Sequence, residues 1–311
     1  MAQLHADELA IDISLVERLI ASQLPHYKSE RLSELATTGS TNRLFRLGQD
    51  MLVRLPRQPG QGQAIKKEEI WTSRFRSQLP VLIPEIRFIG EPEHAYSESW
   101  SVVTWIDGEH PQTAKEAGID EQRQLATDLA RVIRAIREQK VPRNIDESLR
   151  WYRGGALKDF DTAVRKALKK CEEIVDLDLD LALAAEVWDQ AMTMPRAQVA
   201  QTDCWYHADL VAENLLVSEG SLHAVLDWGV MGVGDPAVDL HGAWELLGTE
   251  ARALFRRKLG VEQEDWACAR AWALGIAVTC FSYYWQTMPK RCAQRLIMAQ
   301  SVLDEALNEP I

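Results

Sequence analysis

Between Tyr206 and Leu240 the chain reads YHADLVAENLLVSEGSLHAVLDWGVMGVGDPAVDL. Asp209 supplies a carboxylate, Asn214 an amide five residues later, and Asp227 a second carboxylate thirteen residues beyond that. This donor set suits phosphoryl transfer, in which one group orients an attacking hydroxyl and two oxygen donors hold a metal ion. Oxygen ligands suit magnesium, a hard cation that keeps some of its waters and leans on substrate phosphates. The intervening residues explain how three separated side chains could meet. LLV (215–217) and HAVL (223–226) read as short strands, with Ser218-Glu219-Gly220 as the turn between them. Asp209 and Asn214 would enter the first strand and Asp227 would leave the second. Asp and Asn singly are ordinary turn formers; the set, followed by DWG and GDPAVD, is not ordinary.

HADLVAEN resembles the catalytic loop HGDxxxxN of the aminoglycoside phosphotransferase family, small-molecule kinases of protein-kinase-like fold. DWGVMGVGDPAVDL is similar to that family's metal-binding segment and the helix start after it, and the likeness runs from about Thr37 to the late 280s. The resemblance implies that Asp209 is the catalytic base, that Asn214 and Asp227 bind Mg2+, and that His207 buttresses the loop. Asp235 and Asp239 would cap a helix and tie the loop down. The chain departs from the pattern at Ala208, where the family usually has Gly, and at Val211-Ala212, often polar or Pro. These changes bear on substrate details rather than on the chemistry.

The same likeness assigns a nucleotide side. TTGSTN (37–42) is the candidate phosphate loop, with Gly39 allowing close approach and Ser40 and Thr41 donating to phosphate. There is no Walker A motif, and GQGQ (60–63) lacks the third glycine of a dinucleotide fingerprint. Arg54, in MLVRLP, stands where kinases keep a phosphate-binding lysine, although a guanidinium is not equivalent in geometry. Its partner is expected on the helix containing KKEE, as Glu68 rather than Glu69. The base of ATP or GTP is expected against main-chain groups of Thr104, Trp105 and Ile106.

The elements that must position these residues fall into two groups. Residues 11–23 have apolar positions at helical spacing. Strand-like runs follow at 31–36, 43–47, 51–56, 86–90 and 100–106, with a helix from about 64 to 78. After Asp107-Gly108-Glu109-His110-Pro111, whose Gly and Pro break the strand and mark the expected hinge, the pattern turns helical: 121–138, 157–175, 181–193, 236–247, 251–259, 263–287 and 290–308. The expectation is an α+β, bilobal protein-kinase-like fold. Residues 1–106 form a small antiparallel-sheet N-lobe that binds nucleotide, and residues 107–311 a mainly helical C-lobe with the catalytic loop and acceptor site.

Composition narrows the partners. The chain has 311 residues, 46% hydrophobic, with 46 Asp+Glu against 35 Lys+Arg and a net charge of −11. Such a balance argues against nucleic acid and is compatible with a cationic substrate. Five scattered cysteines without a CxxC pair fit a reducing compartment. No apolar run is long enough for a bilayer and no export leader is visible, so a cytoplasmic location is expected. The implied reaction moves the γ-phosphate of ATP or GTP to a hydroxyl of a small molecule, an aminoglycoside or macrolide antibiotic first among candidates, with resistance as the role. The alternatives are a metabolic kinase for a choline-like or sugar-like alcohol and a nucleotide-binding pseudoenzyme acting as a regulatory module. Asp176, Asp178, Asp180, Glu245 and Glu309 are candidate acids for the acceptor, and Trp151 and Tyr152 candidate walls. Oligomeric state is not readable.

Overall fold

The computed structural model describes residues 4–35, 39–201 and 203–308. They fall into two compact units, one within Met1–Ser77 and Leu82–Asp107, the other within Gln78–Val81 and Gly108–Ile311.

The first unit is built on a five-stranded antiparallel sheet. Its strands are β1 (Leu32–Glu34), β2 (Asn42–Leu47), β3 (Met51–Pro56), β4 (Ile86–Gly90) and β5 (Trp100–Thr104), in the order β1-β2-β3-β5-β4. Alternation puts Phe45 and Leu47, Val53 and Leu55, and Trp100 and Val102 into one core. Helix α1 (Ile13–Gln23) seals it with Leu15, Val16, Leu19 and Ile20. Asp12 starts that helix, its carboxylate accepting the Leu15 N–H at 2.7 Å. Helix α2 (Gln63–Phe75) turns Ile65, Glu68, Thr72 and Phe75 inward at three- and four-residue spacing. One of these four is an acid, which marks the face as more than packing.

The second unit is mainly helical: α3 (Ile119–Arg137), α4 (Asp161–Cys171), α5 (Leu181–Thr193), α6 (Pro195–Gln198), α7 (Ala243–Leu246), α8 (Thr249–Leu259), α9 (Gln263–Tyr284) and α10 (Pro289–Asn308). Helix α9 is buried on nearly every side, which explains its apolar run as the axis of the unit. Among the described residues no helix is long and apolar enough to cross a membrane. Six of the eleven tryptophans, including Trp188, Trp244 and Trp272, are almost fully buried packing residues. The two groups of elements together are the α+β, bilobal protein-kinase-like fold.

Three local results differ from the sequence expectation. Strand β5 ends at Thr104, so Trp105 and Ile106 lie beyond it. The segment 236–247 is a 3-10 turn (Pro236–Leu240) followed by α7, because Asp235 caps the turn and Pro236 opens it. Two further strands, β6 (Cys204–Tyr206) and β9 (Gly232–Gly234), pair antiparallel on either side of the catalytic segment. Each is only three residues long, too short for a period-2 signal.

The hairpin between Asn214 and Asp227 consists of β7 (Leu215–Ser218) and β8 (Ser221–Val225). Ser218 pairs with Ser221, so it belongs to the strand and the turn is only Glu219-Gly220. Both turn residues have positive φ, 50° and 76°, as a two-residue hairpin turn of matching twist demands. A Cβ at Gly220 would meet nothing within 4 Å. Gly220→Ala is therefore expected to cost only backbone strain, about 1–2 kcal/mol, measured as a lowered urea midpoint with unchanged slope.

Candidate active site

The loop after β6 is held from below by a buried carboxylate. Both oxygens of Asp239 accept the His207 N–H at 3.0 Å, and Oδ1 also accepts the Ala208 N–H at 2.6 Å. Ala208 has φ 74°, a region that favours glycine. The family's usual glycine at this position thus has a physical cause, and the Asp239 contacts hold an alanine in the same conformation. His207 is fully buried. Its Nε2 donates to the Leu226 carbonyl at 2.9 Å and its Nδ1 accepts the Asp209 N–H at 3.2 Å. A carbonyl on one side and an amide on the other fix the ring as the Nε2–H tautomer. His207 is thus a brace between the loop and the end of β8.

Asp209 and Asn214 are in direct contact. Asn214 Nδ2 donates to the Asp209 carbonyl at 2.9 Å and to its Oδ2 at 2.8 Å. The Asn214 carbonyl in turn accepts the Leu226 N–H at 2.8 Å. Leu226, the residue just before Asp227, is therefore gripped at both its backbone groups, its N–H by the Asn214 main-chain carbonyl and its C=O by His207. Asp227 follows in the left-handed region, φ 55° and ψ 65°, and is half-buried. Because Nδ2 faces Asp209, the remaining oxygen of Asn214 makes no hydrogen bond among the described residues. An amide oxygen and a carboxylate are a donor set that fits a hard cation. Among the described residues no cluster of three or more His, Cys, Asp or Glu side chains could hold a metal.

One contact with Asp209 was not foreseen. Arg153 Nη1 donates to Asp209 Oδ1 at 2.9 Å and to the Ala208 carbonyl at 2.7 Å. Burial alone would push the Asp209 carboxyl up; Arg153, then Arg295, outweigh it and hold it well below the usual carboxylate range. The clue in the sequence was the RWYRGG segment, where only Trp151 and Tyr152 drew notice. Gly154 sets Arg153 in place: a Cβ there would come within 2.3 Å of the Tyr206 ring, and the Gly154 carbonyl accepts the Asp235 N–H at 2.9 Å.

The turn Ala212–Asn214 is also tied to α10. Glu213 accepts from Arg291 Nη2 at 2.9 Å and from Arg295 Nη2 at 3.1 Å. Arg295 also pairs with Glu245, whose other oxygen accepts the Ala212 N–H at 2.9 Å. Glu245 is completely buried, so it braces the loop and does not face an acceptor. Asp180 caps α5 by accepting from Leu183, and Asp176 accepts from the Trp285 indole at 2.9 Å. Glu309 lies outside the described residues.

In the first unit Arg54 and Glu68 form a buried two-pronged pair, both N–H···O distances 2.9 Å, with Arg54 Nε donating to Ser101 Oγ at 3.1 Å. Glu69 is exposed. Of the phosphate-loop candidates, Thr37 and Thr38 lie outside the described residues. Gly39, Ser40 and Thr41 lead into β2; the Ser40 carbonyl accepts from His5 Nε2 and the Thr41 carbonyl from the Arg57 N–H, both at 2.9 Å. At the other edge, the Thr104 and Trp105 N–H groups are taken up by Glu85 and Asp50. Ile106 makes no backbone hydrogen bond among the described residues.

Comparison with known proteins now has a geometry to rest on. The sequence profile of the phosphotransferase enzyme family matches residues 34–272, and the chain belongs to that family. In structure it is similar to the GDP complex of wild-type aminoglycoside 2'-phosphotransferase-IIIa, with TM-score 0.66 at 18% identity over 96% of this chain and 100% of that one. It is also similar to macrolide 2'-phosphotransferase MphH from Brachybacterium faecium, with TM-score 0.57 at 19% identity over 92% and 98%. A gentamicin complex of APH(2")-IIa gives TM-score 0.63 at 17% identity over 95% and 99%. No curated protein matches the chain by sequence.

The Asp239 anchor has a pH signature. Burial is the largest influence and raises its carboxyl to about 6, against the amides of Ala208 and His207, which favour the anion. The unfolded value is about 4, so between about pH 4 and pH 6 the folded chain holds the extra proton. This group's contribution to stability therefore falls as pH rises through that window. Urea titrations from pH 4.5 to 7 are expected to show a loss on the order of 2 kcal/mol in wild type relative to Asp239→Asn, which lacks the titration.

Proposed function

We propose that the protein transfers the γ-phosphate of ATP or GTP to a hydroxyl of a small molecule. The observation that carries this reading is the single hydrogen-bonded assembly joining Asp209, Asn214 and the backbone of Leu226, the residue before Asp227. Family membership and neighbours whose names include GDP and ATP complexes support it. Asp209 is the base: its carboxylate is kept ionised by Arg153 and turned by Asn214, ready to take the hydroxyl proton. His207 and Asp239 hold the loop carrying it. Asn214 and Asp227 would hold Mg2+, which when bound offsets charge on the β- and γ-phosphates. In the 1–106 lobe Arg54, steadied by Glu68, is assigned to the triphosphate, Gly39, Ser40 and Thr41 to the phosphates, and the main chain of Thr104 and Ile106 to the base. Thr104's N–H is already bonded, which leaves Ile106 the better donor. Most of the acceleration then comes from positioning and fixed charge.

For the acceptor, the aminoglycoside and macrolide names of the structural neighbours favour an antibiotic and hence a resistance role. A metabolic small alcohol is the second reading, favoured by a specific observation: Glu213 and Glu245, the acids flanking the catalytic loop, are both paired with arginines. A cytoplasmic site of action fits either.

Asp209→Ala is expected to lower kcat by ~10²–10⁴ while leaving the circular dichroism spectrum of the folded chain near wild type; near-normal turnover would remove Asp209 from the mechanism. Asp227→Ala is expected to raise the magnesium concentration needed for half-maximal turnover by at least about tenfold, the scale of a lost metal ligand. An unchanged magnesium dependence would reassign that ligand.

A further inference from the structure

The contacts around Asp209 define what kind of molecule can approach it. Arg153 uses only part of its guanidinium on the loop. Nη1 holds Asp209 and the Ala208 carbonyl, and Nε donates to the Tyr152 hydroxyl at 3.1 Å. Nη2 makes no hydrogen bond among the described residues, so its two N–H donors stay open. The guanidinium lies 4.9 Å from the Trp151 ring and 5.8 Å from the Tyr152 ring, and Tyr152 is 44% exposed. Aromatic faces on its flanks and the packing of Gly154 on Tyr206 hold it in one orientation.

The local acids point the same way. Glu213 serves Arg291 and Arg295, Glu245 serves Arg295 and the Ala212 amide, and Asp239 serves the loop amides. Each has its carboxylate turned to an internal partner. None of these three carboxylates is left to receive a polycation, whereas Arg153 stands directly beside Asp209.

We propose that the open edge of Arg153 receives an oxyanion of the acceptor, so that the molecule phosphorylated is a hydroxyl compound carrying a carboxylate or a phosphate. The two unused N–H groups of Nη2 can give such a group charge-assisted hydrogen bonds and would place a nearby hydroxyl beside the Asp209 carboxylate. This assignment rests on the phosphotransferase reading and narrows its acceptor.

The test has two arms. In the first, ATP and GTP turnover is measured on hydroxy acids, sugar phosphates, neutral polyols and aminoglycosides, with wild type, Arg153→Gln, Arg153→Lys and Asp209→Ala. The expected result is a preference for one anionic class, with KM for it raised about 10–100-fold in Arg153→Gln, the scale of a lost charge-assisted hydrogen bond, kcat also lowered because Asp209 loses its partner, and partial recovery of both in Arg153→Lys. Whether hydroxy acids or sugar phosphates respond identifies the oxyanion. A preference for aminoglycosides or neutral polyols, or a loss in kcat alone, overturns the proposal while leaving the phosphotransferase reading intact. Turnover insensitive to Asp209→Ala would sink that reading instead. In the second arm, inorganic phosphate is titrated calorimetrically into wild type and Arg153→Gln, each saturated with a non-hydrolysable nucleotide. Weaker binding in the variant is expected; equal binding overturns the proposal even if no acceptor has been found.

Discussion

The arrangement of the site depends on one buried carboxylate receiving two consecutive amides. Asp239 lies almost wholly out of water and accepts from the backbone of both His207 and Ala208. An unpaired buried carboxylate would be costly, and so would two buried amides without acceptors. Together they satisfy each other and hold Ala208 in a conformation that an L-residue otherwise avoids. From that bend the chain delivers Asp209 on one side and the His207 ring on the other. The ring then reaches Leu226 and fixes where β8 releases Asp227. Backbone strain of this kind persists where surrounding contacts over-determine it, as at many functional sites.

Around this anchor the second unit uses ion pairs as braces. Arg291 and Arg295 from α10 grip Glu213 in the catalytic turn, and Glu245 of α7 joins Arg295 to the Ala212 amide. Buried pairs of this sort add little net stability over apolar packing, yet losing one partner is expensive. Their value is orientational: each fixes a direction in space for the loop carrying Asp209 and Asn214. Arg54 and Glu68 repeat the device in the first unit, where a two-pronged pair holds a charge at a defined place on β3. Across the molecule, guanidinium groups do the positioning and carboxylates are held to it.

If the acceptor carries an oxyanion as proposed, the net of −11 is a poor guide to it. Net charge is a sum over the surface, whereas recognition depends on which groups near the base keep an open edge. Beside Asp209 the open edge belongs to an arginine.

Much of the fold was legible in the sequence. The five strands of the first sheet, α1, α2 and the long helices carry apolar residues at period 2 or 3.6, a signal that needs no tertiary context. The spacing of Asp209, Asn214 and Asp227 around a short hairpin was legible because a hairpin is local and brings its own flanks together. The choice of Glu68 over Glu69 came from counting along α2, and the structure places Glu68 against Arg54. Sequence alone left the rest open. It could not show that Arg153, fifty-six residues before Asp209 in the chain, reaches its carboxylate, that β6 and β9 pair, or that Glu245 faces inward to Arg295 rather than outward to a ligand. Each is a contact between segments far apart in the chain, made by residues that carry no periodicity. Periodicity records which face of an element is buried; only the packed structure decides which charge meets which.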